Sequence, residues 1–409
     1  MQKMDVGVAE QKFNLKEHHA HAPDRRGTAK PGQDHLGHDR LDLKEQEGRK
    51  KNGDCKKGHE IGFQNLSSAH GRYSTDIHKP SKPFAMRLIT FLNRQTNQIE
   101  IGCRIPNSTG GGVLRFEEAA ARTGKSQFPR TMKAFFRAGE PALTTARRWV
   151  DEATESSLLP IEEIEFLPPM MDADKFLCVG KNYRKHLEEL TRTQLIKEIP
   201  EEPTGFIKLN SCLVGHEATI SRPAGITRLD YEPELVFVIG KRALGVTKAE
   251  AFDYVAGVTV LNDLTCRDLQ QREVASGSRF WTAKNIPGFG PLGPEIITID
   301  EIANPYDLWL TCQVNGEERM RVNTEEQIWK LPDILEHFSR FIPIEPGDMF
   351  STGAPGGVAV GKDNAAELFL KPGDVVECSI EGVMTLRNRI IDPIGPGSVA
   401  LDPSIPARG

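Results

Sequence analysis

Apolar positions along the 409-residue chain are few and without period up to about residue 85, and from there they gather into short runs. Residues 86–105, MRLITFLNRQTNQIEIGCRI, read as two strands around a polar turn. Residues 131–153, TMKAFFRAGEPALTTARRWVDEA, hold helical periodicity that Gly139 and Pro141 interrupt. From about Lys175 to Pro393 the texture becomes short β-branched and aromatic runs separated by Gly/Pro turns, with a few amphiphilic stretches between them. The pattern predicts strands at 175–179, 234–240, 256–262, 308–314, 375–380 and 385–391, and helices at 182–190, 265–275 and 331–341. It divides the chain into a polar, His-rich segment 1–85 expected to be disordered, a small unit 86–170, a larger unit 171–393 and a flexible tail 394–409.

One predicted strand poses a chemical question. In LDYEPELVFVIG (229–240) the run Leu235, Val236, Phe237, Val238, Ile239 has no polar position, so both faces are expected to be buried. Glu232 and Glu234 stand at its mouth, and the period of two sends both carboxylates to one side. Like charges beside a dry core repel each other and resist desolvation, so something has to neutralise them. Pro233 between them donates no hydrogen bond, which suits the end of a strand better than the middle of a ladder.

Composition bounds the answer. Seven cysteines (55, 103, 178, 212, 266, 312, 378) are scattered without a C-x-x-C pair, which argues for reduced thiols inside a cell and against a zinc ribbon. The formal charge of −5 gives no sign of nucleic-acid binding. No apolar segment approaches the ~20 residues of a membrane helix. The average charge hides a break: residues 1–85 carry 16 Lys+Arg against 12 Asp+Glu, and the remainder 36 against 45. Eight of the eleven histidines also fall before residue 80, in a tract that reads as a solvated tail able to take up metal only adventitiously. The leader has no apolar signal region. With Asp5, Glu10 and Glu17 it is also a poor mitochondrial presequence, so a cytoplasmic protein is expected.

Two Gly-rich segments are expected to be plain turns. GFGPLG (288–293) has the G-x-G-x-x-G spacing, but Pro287, Pro291 and Pro294 leave no helix to cradle a pyrophosphate. GGVAVGKD (356–363) lacks the Ser/Thr of a P-loop and carries Asp363 in its place. In TVLNDLTCRDLQQRE (259–273), Asp263 sits where a buried strand gives way to a helix, and helix capping accounts for Thr265 and Asp268. Capping does not account for Asp263, Arg267 and Gln270, whose spacings of four and three share one face. A carboxylate, a guanidinium and an amide on that face suit a site for metal and an acidic substrate, and both readings stay open. In FLCVGKNYRKHLEEL (176–190), His186 and Glu189 are at i, i+3, close enough for the carboxylate to fix the imidazole's tautomer; an ordinary exposed pair is the alternative. Only His186, His216 and His337 occur after residue 85. Lys284, in GSRFWTAKNIPGFGPLGP (277–294), is not singled out by spacing.

Taken in order, CVGKNYRKH, GFIKLNSCLVG, DYEPELVFVIGKRA, YVAGVTVLNDLTCRDLQ, AKNIPGFGPLGP, VNGE, STGAPGGV and PGDVVECSIEGVMTLRN resemble the fumarylacetoacetate hydrolase family from about Lys175 to Asp392. Residues 86–170 are similar to the smaller N-terminal region of its domain-containing protein 2 branch, and residues 1–85 have no counterpart. The resemblance implies an α+β, mainly β fold: a mixed β-roll or sandwich with peripheral helices and a small N-terminal α+β subdomain. It implies a homodimer, and for this branch it admits a mitochondrial location. It also implies that Glu232, Glu234 and Asp263 hold one divalent cation. Three hard oxygen donors favour Mg2+, with Mn2+ or Ca2+ as alternatives, over Zn2+.

By the same resemblance His186 and Glu189 form a proton-moving pair on a lid, Lys284 is the active-site lysine, and Arg267, Gln270 and Thr352 bind substrate. The chain departs from the family pattern at IPGF (286–289), expected to alter the pocket wall beside Lys284, and at Ala354. The implied chemistry is enolate formation on a small 2-oxo acid, with oxaloacetate keto–enol tautomerisation as the leading expectation. Acylpyruvate or β-diketo-acid C–C hydrolysis and oxaloacetate decarboxylation are the alternatives. Outside the enzyme class stands a metabolite-binding paralogue without catalysis. The retained carboxylates, H-x-x-E pair and lysine weigh against it, and IPGF weighs for it.

Overall fold

The computed structural model describes residues 85–106, 111–193, 200–277 and 281–393; the polar, His-rich segment up to residue 84 and the tail 394–409 lie outside the described residues. Within it, all seven residues of the strand Pro233–Ile239 are buried, Glu234 together with the apolar run Leu235–Ile239 that follows it. The period of two shares them between cores. Leu235 and Phe237 pack with Val258, Val260, Leu310, Cys312 and Leu386, while Val236 and Val238 pack with Phe135, Phe136, Trp149 and Met349. The first group closes the space between a twelve-stranded mixed sheet and a five-stranded one; the second brings in the helices Met132–Ala138 and Glu140–Asp151. Two packed sheets with helices at the periphery are the mainly β, α+β architecture that the resemblance implies.

The aliphatic runs fold within a residue or two of where the pattern puts them: Phe176–Gly180, Val255–Asn262, Trp309–Val314, Val375–Ile380 and Met384–Ile391 are strands. The helix expected at 182–190 runs Arg184–Arg192, delayed because Lys181 adopts a left-handed φ of 61° that turns the chain first. Gly139, at φ 64°, splits the 131–153 stretch into its two helices. One expectation is overturned. GFGPLG does not end in a turn, because Gly290–Thr298 is a strand buried at every position. Its glycines permit close approach: a Cβ on Gly290 would lie 2.8 Å from Leu213 and 3.0 Å from Lys208.

That strand also joins the unit 86–170 to the rest, since Arg87↔Ile297 and Leu88↔Ile296 pair the strand Arg87–Asn93 with it. Beside this junction the fully buried Glu295 takes Arg87 at 2.6 Å and Arg104 at 2.6 Å. Among the described residues no helix is long and apolar enough to cross a membrane.

Candidate metal and proton-transfer site

Strand register builds the acidic cluster. Antiparallel pairing sets Pro233 opposite Asn262, so Glu232 and Asp263, each one step outside that pair, meet, and the Asp263 N–H donates to the Glu232 carbonyl at 2.8 Å. Glu234 lies one pleat on, facing the same side. The neighbouring strand Met349–Ser351 reaches it there: the Ser351 hydroxyl and, at 3.1 Å, the Gly353 N–H donate to its Oε2. One carboxylate oxygen from each of Glu232, Glu234 and Asp263 lies within 4.8 Å of the other two, and all three residues are buried.

Cations answer most of this charge. Lys284 Nζ donates to Glu232 and Asp263. Lys208 Nζ donates to the other Asp263 oxygen at 2.7 Å and to the Lys284 carbonyl. Arg267, on the first turn of the helix Arg267–Ala275, bonds Glu232, the Gln270 amide oxygen at 2.9 Å and Asp230 at 2.9 Å. Four carboxylates, Asp230, Glu232, Glu234 and Asp263, thus face three cations. Burial works against ionising Glu232, but the Lys284 and Arg267 charges outweigh it and hold its carboxyl down to about 2. Burial and the Asp263 charge push Glu234 well above its ordinary value. Among the described residues it is the one member of the four without an ion-pair partner. A hard divalent cation suits this all-oxygen set and would supply the charge Glu234 lacks.

The His186–Glu189 pair comes from the helix Arg184–Arg192, where Glu189 Oε2 lies 3.2 Å from His186 Nδ1. Glu189 is held in turn by the Gly357 N–H at 2.7 Å, and Arg192 caps the Gly361 carbonyl. Beneath this helix is a cavity of about 30 Å³. His186, Glu232, Glu234, Asp263, Arg267, Gln270 and Lys284 line it, with Leu190, Phe206 and Ala354 as its apolar wall.

Eight of the nine residues singled out are therefore brought together, Glu189 through its contact with His186. Thr352 is fully buried and not among the residues lining the cavity, with its carbonyl accepting from Asn182 at 2.9 Å, and Ala354 lines the cavity instead. The IPGF departure is not in the cavity wall: Phe289 and Ile286 turn into the core between the sheets, because the strand that follows draws them inward. Capping is not what Asp268 does. The helix has no side-chain cap, and Asp268 accepts from the Thr227 and Arg228 N–H groups at 3.1 and 3.0 Å, tying down a loop. Sequence reasoning missed Lys208 and Asp230. Both lay inside quoted motifs, GFIKLN and LDYEPE, and a charged residue set among strand-forming neighbours was the available signal.

Residues 175–391 match the family described as Fumarylacetoacetate (FAA) hydrolase C-terminal. The chain is 35% identical over 314 residues to the mitochondrial oxaloacetate tautomerase Fahd2a of Rattus norvegicus, covering 76% of this chain and 94% of that protein. Among solved structures it is similar to a fumarylacetoacetate hydrolase from psychrophilic Exiguobacterium antarcticum, at 28% identity and a TM-score of 0.59, covering 75% of this chain and 100% of that one. It is also similar to the 5-carboxymethyl-2-hydroxymuconate delta-isomerase of Mycobacterium smegmatis, at 26% identity and a TM-score of 0.57, with 75% and 100% covered.

Proposed function

The chain belongs to the fumarylacetoacetate hydrolase family, in its domain-containing protein 2 branch, and from that premise we propose that it is a divalent-metal-dependent enzyme forming the enolate of a small 2-oxo acid, as an oxaloacetate keto–enol tautomerase. The carrying observation is the convergence, on one cavity, of a cation-deficient carboxylate trio, the lysine Lys284 and His186 with its partner Glu189.

Glu232, Glu234 and Asp263 would hold Mg2+, which when bound lowers the cost of negative charge on an enolate oxygen. The remaining roles fall to the chain itself. Arg267 and Gln270 present a guanidinium and an amide to the substrate's carboxylate. Lys284, whose ammonium the Asp263 and Glu232 charges keep protonated in spite of burial, adds positive charge beside the developing oxyanion. Glu189 accepts from His186 Nδ1, which leaves Nε2 to take a proton from the substrate carbon and return one to it. A cavity of about 30 Å³ has room for a water or two but not for a four-carbon diacid, so the helix Arg184–Arg192 has to lift for substrate to enter.

Purified protein with Mg2+ is expected to remove the enol-oxaloacetate absorbance; unchanged activity in excess EDTA would falsify the metal role. Acylpyruvate-type C–C hydrolysis is the second reading, favoured by the likeness to the Exiguobacterium hydrolase, and acetylpyruvate cleavage tests it in parallel. Inactivity on both substrates and on a panel of 2-oxo acids would leave a metabolite binder. The reading includes a homodimer, checked by light scattering. For location, the rat relative's mitochondrial designation supports mitochondria over the cytoplasm.

A further inference from the structure

Asp230 is fully buried, lines no part of the cavity, and yet receives more hydrogen bonds than any carboxylate of the metal trio. Its Oδ1 accepts from the N–H groups of Tyr231 at 3.0 Å and Ala359 at 2.9 Å; its Oδ2 accepts from the Val360 N–H at 3.0 Å and from Arg267 Nε at 2.9 Å, and forms an ion pair with Arg267 Nη2 at 2.9 Å. The two distant backbone donors come from GGVAVGKD, whose short 3-10 turn Ala359–Gly361 wraps a side chain of its own protein. A carboxylate fixed by three backbone N–H groups cannot turn, so its remaining acceptor capacity is a rigid anchor aimed at Arg267. Arg267 needs such an anchor. Its other charged partner is Glu232, and without Asp230 the guanidinium would be free to close onto that carboxylate and turn away from the cavity it lines.

We infer that Asp230 is a positioning residue, holding Arg267 in the orientation that receives the substrate's carboxylate, and that the 359–360 backbone is the support that holds Asp230. This deepens the proposed function and rests on it. The same loop, two residues earlier, holds Glu189 through the Gly357 N–H, so one segment fixes both the carboxylate-binding arginine and the proton-moving pair.

Asp230→Asn is expected to raise KM for oxaloacetate roughly tenfold to a hundredfold, with a smaller fall in kcat. In an Arg267→Met background the same change is expected to add nothing further to KM. A purely structural role would instead lower the melting temperature and leave KM where it was. A wild-type KM in Asp230→Asn, or additive effects in the double variant, would overturn the inference. Should Asp230→Asn not fold, Ala359→Pro removes one backbone donor at the first position of its turn, where proline is tolerated, and is expected to raise KM several-fold; an unchanged KM there also counts against it. If the wild-type protein turns over no 2-oxo acid, the functional reading fails by itself. Calorimetric binding of malonate in Mg2+ then decides: weaker binding by Asp230→Asn supports the anchor, equal binding refutes it.

Discussion

Glu295 and Glu234 belong to strands of the same large sheet and are about equally hidden from water. Glu295 is met by two arginines at 2.6 Å, whereas Glu234 has a serine hydroxyl and one backbone amide. At the junction with the 86–170 unit, charge is buried together with its counter-charge, and nothing further is required of it. At the mouth of Pro233–Ile239, four carboxylates against three cations leave the cluster one positive charge short. A fold that fully pairs one buried acid and underpairs another sets the second apart as the candidate for a bound cation.

Removing each acid separates the two cases most sharply. Glu234→Ala and Glu232→Ala are each expected to abolish calorimetric Mg2+ binding and to lower turnover by about a hundredfold to a thousandfold. Glu295→Ala leaves Arg104 and Arg87 short of their buried partner; chemical denaturation should show a loss of about 3 kcal/mol, with Mg2+ affinity unchanged. If Glu295→Ala also loses Mg2+, or Glu234→Ala keeps it, the contrast breaks. Next in size is Gly361→Ala, which would set a methyl 2.4 Å from Glu189 Cδ and so hinder seating of the helix over the cavity. A roughly tenfold fall in kcat/KM with little change in melting temperature is expected.

The smallest effect lies on the structural side. Burial lowers the His216 pKa below its ordinary 6.5, against the pull of Glu217, while its ring nitrogen accepts the Arg387 N–H at 3.0 Å. A depressed value means the unfolded chain takes up the proton first. The stability His216 contributes is therefore present above pH 6.5 and lost as pH falls below it. His216→Gln should flatten that part of the stability profile; an equally steep profile would assign the slope to other groups.

The sequence made legible what depends on neighbours in the chain. Aliphatic runs announced the core strands, and a spacing of two set Glu232 and Glu234 on one side without any fold in view. Gly290–Thr298 escaped because glycine and proline read as turn unless one knows that Leu213 and Lys208 press against it. Lys284 carried no local signal and entered through family resemblance. Lys208 and Asp230 escaped both routes: Lys208 meets Asp263 across 55 residues and Asp230 meets Val360 across 130, and such partners exist only once strands have paired. Thr352 shows the converse, since its motif was recognisable while its place outside the cavity lining was not.

The pairing of Arg87–Asn93 with Gly290–Thr298 has a practical corollary for protein engineering. The match to the fumarylacetoacetate hydrolase C-terminal family starts at residue 175, but a fragment cut there would uncover a raw sheet margin and the apolar side on which Phe135, Phe136 and Trp149 rest. Such a margin recruits strands from other molecules, so the shortened polypeptide should precipitate where one beginning near residue 85 stays in solution. A cut that keeps this sheet paired therefore has to precede Arg87, well before the match to the C-terminal family begins at residue 175.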